Sequence, residues 1–136
     1  MNRIIYQTED GGVAVIIPTE SVELALKDVP EGVAYEIVSA DDIPSDRFFR
    51  GAWTMGDCCI EHDLDKCKNI AHEHRRALRA EEFAPLDKII SLQLPGMDMV
   101  AAEDGRQLIR NKYAAMQVAI DQAASTDEIK AALEDN

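Results

Sequence analysis

The sequence predicts an α+β chain: a small N-terminal antiparallel β-sheet with one short helix, followed by a C-terminal α-helical hairpin and a short terminal helix. Three observations predict it. Two β-rich runs flank Glu9-Asp10-Gly11-Gly12, two long charged segments carry narrow apolar stripes at helical spacing, and Pro95-Gly96 separates those segments. Together they give a small β-rich domain over 1–56 and a helical hairpin region over 63–136.

Residues 3–8 (RIIYQT) and 13–18 (VAVIIP) are rich in side chains that favour strands. Asp-Gly and Gly-Gly between them supply the positive φ that a tight turn needs, so the two runs form a hairpin. Pro18 ends the second strand, because it has no N–H to donate to a ladder. Residues 19–27 (TESVELALK) place Val22, Leu24, Ala25 and Leu26 near helical spacing, with Thr19 or Ser21 as the cap. After a turn at 28–32, a third strand is expected over 33–39, where Val33, Tyr35 and Ile37 alternate with Ala34, Glu36 and Val38 to give one drier face. A front of this size buries little and leans on a partner or on the rest of the chain. Residues 47–54 (RFFRGAWT) follow an acidic connector and are expected to pack Phe48, Phe49 and Trp53 onto the sheet.

Asp63 is placed to cap a helix in which Leu64, Cys67, Ala71, His74 and Leu78 follow a 3-4-3-4 spacing. Pro85 lacks the N–H of a helix interior, which predicts a kink or a restart near Glu82. Phe83, Leu86, Ile89, Ile90 and Leu94 continue a broader stripe. A second helix over 98–123 carries Ile109, Tyr113, Met116, Ile120 and Ala123 at 4-3-4-3 spacing. Ser125 and Glu128 have the spacing of a capping box, and a last helix follows with Ile129 and Leu133 one turn apart. The stripes are rich in alanine. Burying a large apolar side chain contributes about 1.5–3 kcal/mol and alanine far less, so the hairpin is expected to keep apolar surface for a protein partner or a second copy.

The chain has 136 residues, 46% apolar and 29% charged, with a net charge of −12. Such a surface repels phosphate backbones and anionic lipid, so neither a nucleic acid nor a membrane is expected as partner. Residues 1–46 carry two basic and ten acidic groups, and residues 47–136 twelve and sixteen. The basic groups Lys66, Lys68, Arg75, Arg76 and Arg79 cluster on the first long helix. The opening MNRIIYQTED has no apolar signal core and no apolar run has the length of a spanning helix, so a cytosolic chain with reduced thiols is expected.

Cys58, Cys59, His62, Cys67, His72 and His74 crowd into 17 residues, and thiolates with imidazoles are zinc ligands. There is no C-x-x-C pair, however, and His72 and His74 sit two apart on a helix, on different faces. No metal is expected. Cys59 with His62 is the one local nucleophile–base pairing, and it lacks an elbow or supporting motif. Asp41-Asp42 and Glu81-Glu82 read as solvated charge, and no phosphate-loop, dinucleotide or zinc-protease motif is present. No catalytic residue and no cofactor is assigned, and the chain is not expected to be an enzyme.

Residues 43–53 (IPSDRFFRGAW) resemble the IPSDRxFRxAW segment of a group of small tailed-bacteriophage proteins. Residues 4–19 (IIYQTEDGGVAVIIPT) look like the start of that group, and 27–35 (KDVPEGVAY) are similar to its KDVPxGxxY turn and strand. Lys68-Asn69-Ile70, Arg75-Arg76-Ala77-Leu78-Arg79, Ala84-Pro85-Leu86 and residues 124–130 (ASTDEIK) match more loosely. The doubled Phe48-Phe49 and the Cys58-Cys59-His62 stretch depart from the pattern. The resemblance implies a product of the phage tail-gene region, and the layout is similar to phage tail-fibre assembly chaperones. It implies a non-enzymatic protein that binds a tail or tail-fibre protein in the host cytoplasm during assembly. The alternatives are a small structural virion subunit, as a tail or decoration component, and an acidic host-directed binder. On this reading Tyr6, Tyr35, Phe48 and Trp53 form the folded base. The residues expected to meet the partner are Phe48, Trp53, Arg75, Arg76, Arg79, Ile109, Tyr113, Met116 and Ile120.

Overall fold

The computed structural model describes residues 1–57, 59–93, 95–96 and 98–134. Its elements in chain order are β1 (Asn2–Gln7), β2 (Val13–Ile16), α1 (Val22–Ala25), β3 (Tyr35–Ser39), β4 (Trp53–Met55), β5 (Ile60–His62), α2 (Leu64–Leu92), α3 (Met99–Gln122) and α4 (Thr126–Glu134). A small antiparallel sheet followed by long helices is the α+β layout that the sequence predicts. The chain divides into two compact units, Met1–Cys67 and Lys68–Asn136. The β4–β5 strands and the first residues of α2 therefore belong with the front unit.

In the first unit β1 is the middle strand, with β2 and β3 antiparallel on either side. The β1–β2 hairpin closes at Thr8, whose N–H donates to Gly12 O at 2.9 Å, while Gly11 N donates to Thr8 O at 3.0 Å. Gly11 has φ 86, a conformation that favours glycine. The Asp10 carboxylate accepts from the Thr8 hydroxyl and from Gly12 N. Those two bonds hold its pKa below the usual carboxylate value, the Thr8 bond more strongly. In α1, Ser21 is the N-cap, its Oγ accepting from Leu24 N at 3.2 Å.

The core of this unit is Ile5, Val13, Trp53 and Ile60, with Val15, Val38, Ile43 and Met55 packed against it. That arrangement corrects the expected polarity of β3. Tyr35 and Ile37 are 45% and 47% exposed, and Val38, on the opposite face, points to the core. Alternation divides a strand into two faces; Val38 packs on the Trp53 side, while Ile37 stays exposed although Ile4, opposite it on β1, is fully buried. The stretch after Trp53, expected as a loop between the two predicted domains, pairs as a second sheet, with Trp53 opposite His62 and Met55 opposite Ile60.

In the second unit α2 and α3 form the expected hairpin. Asp63 caps α2, its Oδ1 accepting from Lys66 N at 3.2 Å. The helix then continues without interruption through Pro85, where a kink or restart was predicted. Glu81 and Pro85 are both exposed, so water can satisfy the Glu81 carbonyl that loses its N–H partner. Gln93 follows the last turn with φ 46, a left-handed stop. Asp98 caps α3 by accepting from Ala101 N at 2.8 Å. Ser125 Oγ accepts from Glu128 N at 3.2 Å, and Glu128 reaches back to Ala124 N at 2.6 Å. Tyr113, Met116, Ile120 and Ala123 are buried on the α3 side, and Ile129, Ala132 and Leu133 on α4, which packs on α3.

The predicted seam of α2 is corrected at one position. His74 is exposed, and Arg75 occupies the buried place after Cys67 and Ala71. The predicted stripe member Leu94 lies outside the described residues.

Candidate partner-docking surface

The residues singled out in the sequence separate into core and surface. Trp53 is fully buried. The Arg50 and Arg47 guanidinium carbons lie 4.3 and 5.9 Å from its ring centroid, and its indole N–H is buried without an acceptor among the described residues. Phe48 is exposed, edge-on to Phe49 at 4.8 Å between ring centroids. Tyr113, Met116 and Ile120, expected to face a partner, are instead core residues of the helical unit. The stripe they form is covered within the chain, not left open, because α4 folds back on α3.

Arg75 is also enclosed, at 7% exposure. Its Nε donates to His72 Nδ1 at 3.3 Å, and His72 Nε2 lies 2.7 Å from Asp121 Oδ1. Burial, followed by the neighbouring Arg76 and Arg79 charges, lowers the Arg75 pKa, with Asp121 opposing. This network, together with a bond from Lys68 Nζ to Asp121 O at 2.9 Å, joins α2 to the C-terminal end of α3. Of the nine residues, Phe48 and Arg76 are exposed and Arg79 and Ile109 are half-buried. In the thiol–imidazole cluster, Cys58 lies outside the described residues. Among the described residues no three His, Cys, Asp or Glu side chains converge as a metal would require. Burial raises the Cys67 thiol pKa, and Asp63 adds to the rise, as for a thiol enclosed in a core.

The open surface lies at the other end of the hairpin. Helix α3, with 24 residues, spans about 36 Å, and α4, with nine, about 14 Å, so α4 cannot reach the N-terminal half of α3. There α2 and α3 face each other with no third helix from the described residues over them. Pro85, Leu86, Gly105, Leu108 and Ile109 line an apolar groove of about 560 Å³, with Glu82 and Lys112 at its edge. Leu108 is 70% exposed. A Cβ at Gly105 would lie 3.1 Å from Leu86 Cδ1, the end of a side chain from the facing helix. Lys112 Nζ sits 2.8 Å from Glu82 Oε1. That bond lowers the Glu82 pKa and raises that of Lys112, while burial pushes the neighbouring Tyr113 phenol up.

A second hollow of about 410 Å³ is lined by Arg79, Ala80, Phe83, Ala84, Asp87, Arg106 and Arg110. The guanidinium carbons of Arg79, Arg106 and Arg110 lie 4.7, 5.9 and 6.0 Å from the Phe83 ring centroid. Glu103 accepts from Arg106 Nη1 at 2.9 Å and from Arg110 Nη1 at 3.0 Å, and Asp87 Oδ1 lies 3.0 Å from Arg106 Nε. The Arg110 bond, then the Arg106 charge, lowers the Glu103 pKa.

Comparison with protein-family models, with curated proteins and with solved structures finds no match for this chain. The reading of the surface therefore rests on its own residues. Sequence reasoning found Arg79 and Ile109, and placed Phe83 and Leu86 in the helical stripe, but missed Arg106, Leu108 and Arg110. The signal was there in the spacings: Arg79 and Phe83, and Arg106 and Arg110, each stand one helical turn apart.

Proposed function

We propose that this chain is a non-enzymatic binding protein that docks a polypeptide on the open half of the α2–α3 hairpin. We further propose that the polypeptide is a tail or tail-fibre component met in the host cytoplasm during phage assembly. One observation carries the docking reading: α4 shields one half of the hairpin, and the other half keeps Leu86, Leu108 and Ile109 around an uncovered groove. An amphipathic helix laid into that groove would complete locally the three-helix arrangement that α4 completes at the far end. The phage assignment is supported by the resemblance of residues 4–53 to the small tailed-phage group.

The test is affinity capture with the tagged chain from phage-producing bacteria, followed by mass spectrometry. A tail or tail-fibre polypeptide is expected, and Leu108→Asp should abolish its recovery without unfolding the chain, because Leu108 is already exposed. Recovery of no tail component would refute the assembly reading. Mass spectrometry of purified virions distinguishes the roles: a chaperone is absent or far below stoichiometric, and a structural subunit is present in fixed copy number.

A further inference from the structure

We propose that the hollow formed by Arg79, Phe83, Arg106 and Arg110 receives a carboxylate side chain of a partner polypeptide. This rests on the reading of the hairpin as a polypeptide-docking element, and it adds a second, chemically distinct contact.

The charge balance of the hollow is the first reason. Glu103 and Asp87 hold Arg106 and Arg110 in place, and two carboxylates cannot neutralise three guanidinium groups. Among the described residues no carboxylate lies within ion-pair distance of Arg79. Its guanidinium rests on the Phe83 ring, held by attraction to the aromatic face, with donors left for a ligand. The three cations share one ring and one hollow, which confines them to a small volume. Holding them ready lowers the ordering cost of binding.

The ligand class follows from what surrounds those charges. One uncompensated positive charge matches one carboxylate. A phosphate dianion or a nucleic-acid backbone brings more negative charge than the one cation left over, against Asp87 in the lining, Glu103 paired to Arg106 and Arg110, and a chain of net charge −12. Ala80, Ala84 and the Phe83 ring form an apolar wall that suits the methylene stem of a glutamate. Arginine forks match a carboxylate in a bidentate pair.

The experiment titrates the full-length, nitrogen-labelled chain with two acetylated, amidated peptides of alternating leucine and glutamate, or leucine and glutamine. The Arg79 and Arg110 side-chain N–H resonances are followed by NMR. The glutamate peptide should shift them and bind about tenfold more tightly than its glutamine twin, the value of one charge-assisted hydrogen-bonded contact. Added salt should shrink that preference, and Arg79→Gln should abolish it. Arg79→Lys keeps the charge and loses the fork, so it should retain only part. Far-UV ellipticity of each variant checks the fold. Inorganic phosphate, run as a separate arm, should give no saturable shift. Equal affinity of the two peptides, saturation by phosphate, or Arg79-dependent self-association would each overturn the proposal. Leu108-dependent capture without glutamate selectivity would sink this inference and leave the docking reading intact; glutamate selectivity with failed capture would do the reverse.

Discussion

Gly105→Ala separates two opposed effects in the open half of the hairpin. Glycine inside a helix costs about 1 kcal/mol relative to alanine, so the substitution gains that much from backbone propensity. The new Cβ would stand 3.1 Å from Leu86 Cδ1 and 3.7 Å from Cδ2, so the first methyl must give way by a few tenths of an ångström. Leu86 can do so. It is half-buried and lines the groove, and the atom in contact is the end of a rotatable side chain. The strain should take back less than half of the gain, leaving about 0.5–1 kcal/mol of stabilisation. In urea that is a midpoint rise of a few tenths molar, read by far-UV ellipticity, to which α2, α3 and α4 contribute most. Trp53, the single tryptophan, belongs to the other unit, and its fluorescence transition should move much less. A fall in the ellipticity midpoint would show that Leu86 is locked and that Gly105 sets the helix spacing, which would refute the view of this half as loosely packed.

Ile120→Ala removes a fully buried side chain from the helical core and should cost about 2–5 kcal/mol, seen as a large drop in the ellipticity midpoint; a loss below 1 kcal/mol would mean that the stripe is not core. Gly11→Ala imposes φ 86 on a residue with a Cβ and should destabilise the first unit by about 1–2 kcal/mol, read by the Trp53 transition; an unchanged midpoint would refute the turn assignment. The Glu82 pKa is lower in the folded chain than its ordinary 4.5, because Lys112 bonds the carboxylate. Its contribution to stability is therefore present above pH 4.5 and fades as pH falls through the folded value. Stability measured from neutral pH downward should fall less steeply below pH 4.5 in Glu82→Gln than in the parent, and identical slopes would count against the pair.

The parts legible in the sequence were those governed by local chemistry. Asp10-Gly11-Gly12 fixes a turn wherever it occurs, and Asp98, Ser125 and Glu128 are side chains whose oxygens bond the adjacent backbone. What was not legible depended on partners distant in sequence. β4 and β5 have three residues each, too few for an alternating pattern to register, and they exist because Trp53 and Ile60 close the core of the front sheet. Heptad spacing puts His74, not Arg75, in the seam. A helix of 3.6 residues per turn keeps Cys67, Ala71 and Arg75 in one row by steps of four. Pro85 was read as a break because the sequence does not reveal that Glu81 faces water. The docking residues Tyr113, Met116 and Ile120 have the spacing of an interface, and spacing alone does not distinguish a partner from the chain's own last helix.

The two halves of the hairpin should differ in local stability, because different forces hold them. Toward the C-terminal end of α3 the helices close over Tyr113, Met116, Ile120 and Ile129, all buried. Toward its N-terminal end Phe83 and Ala102 are the buried side chains, and the ion pairs Glu82–Lys112 and Asp87–Arg106 join the helices, with Glu103 bracing Arg106 and Arg110. Exposed ion pairs contribute about 0–1 kcal/mol each and weaken with salt, whereas a buried large side chain contributes several times as much. Amide hydrogen exchange should therefore be slower at residues 113–120 than at 103–110, with the difference widening as salt is added. A docked partner that covers Leu108 should slow exchange at 103–110 selectively. Uniform protection along α3 in the free chain would mean that its open half is already satisfied. The groove would then be a surface feature and not a vacancy awaiting a third helix.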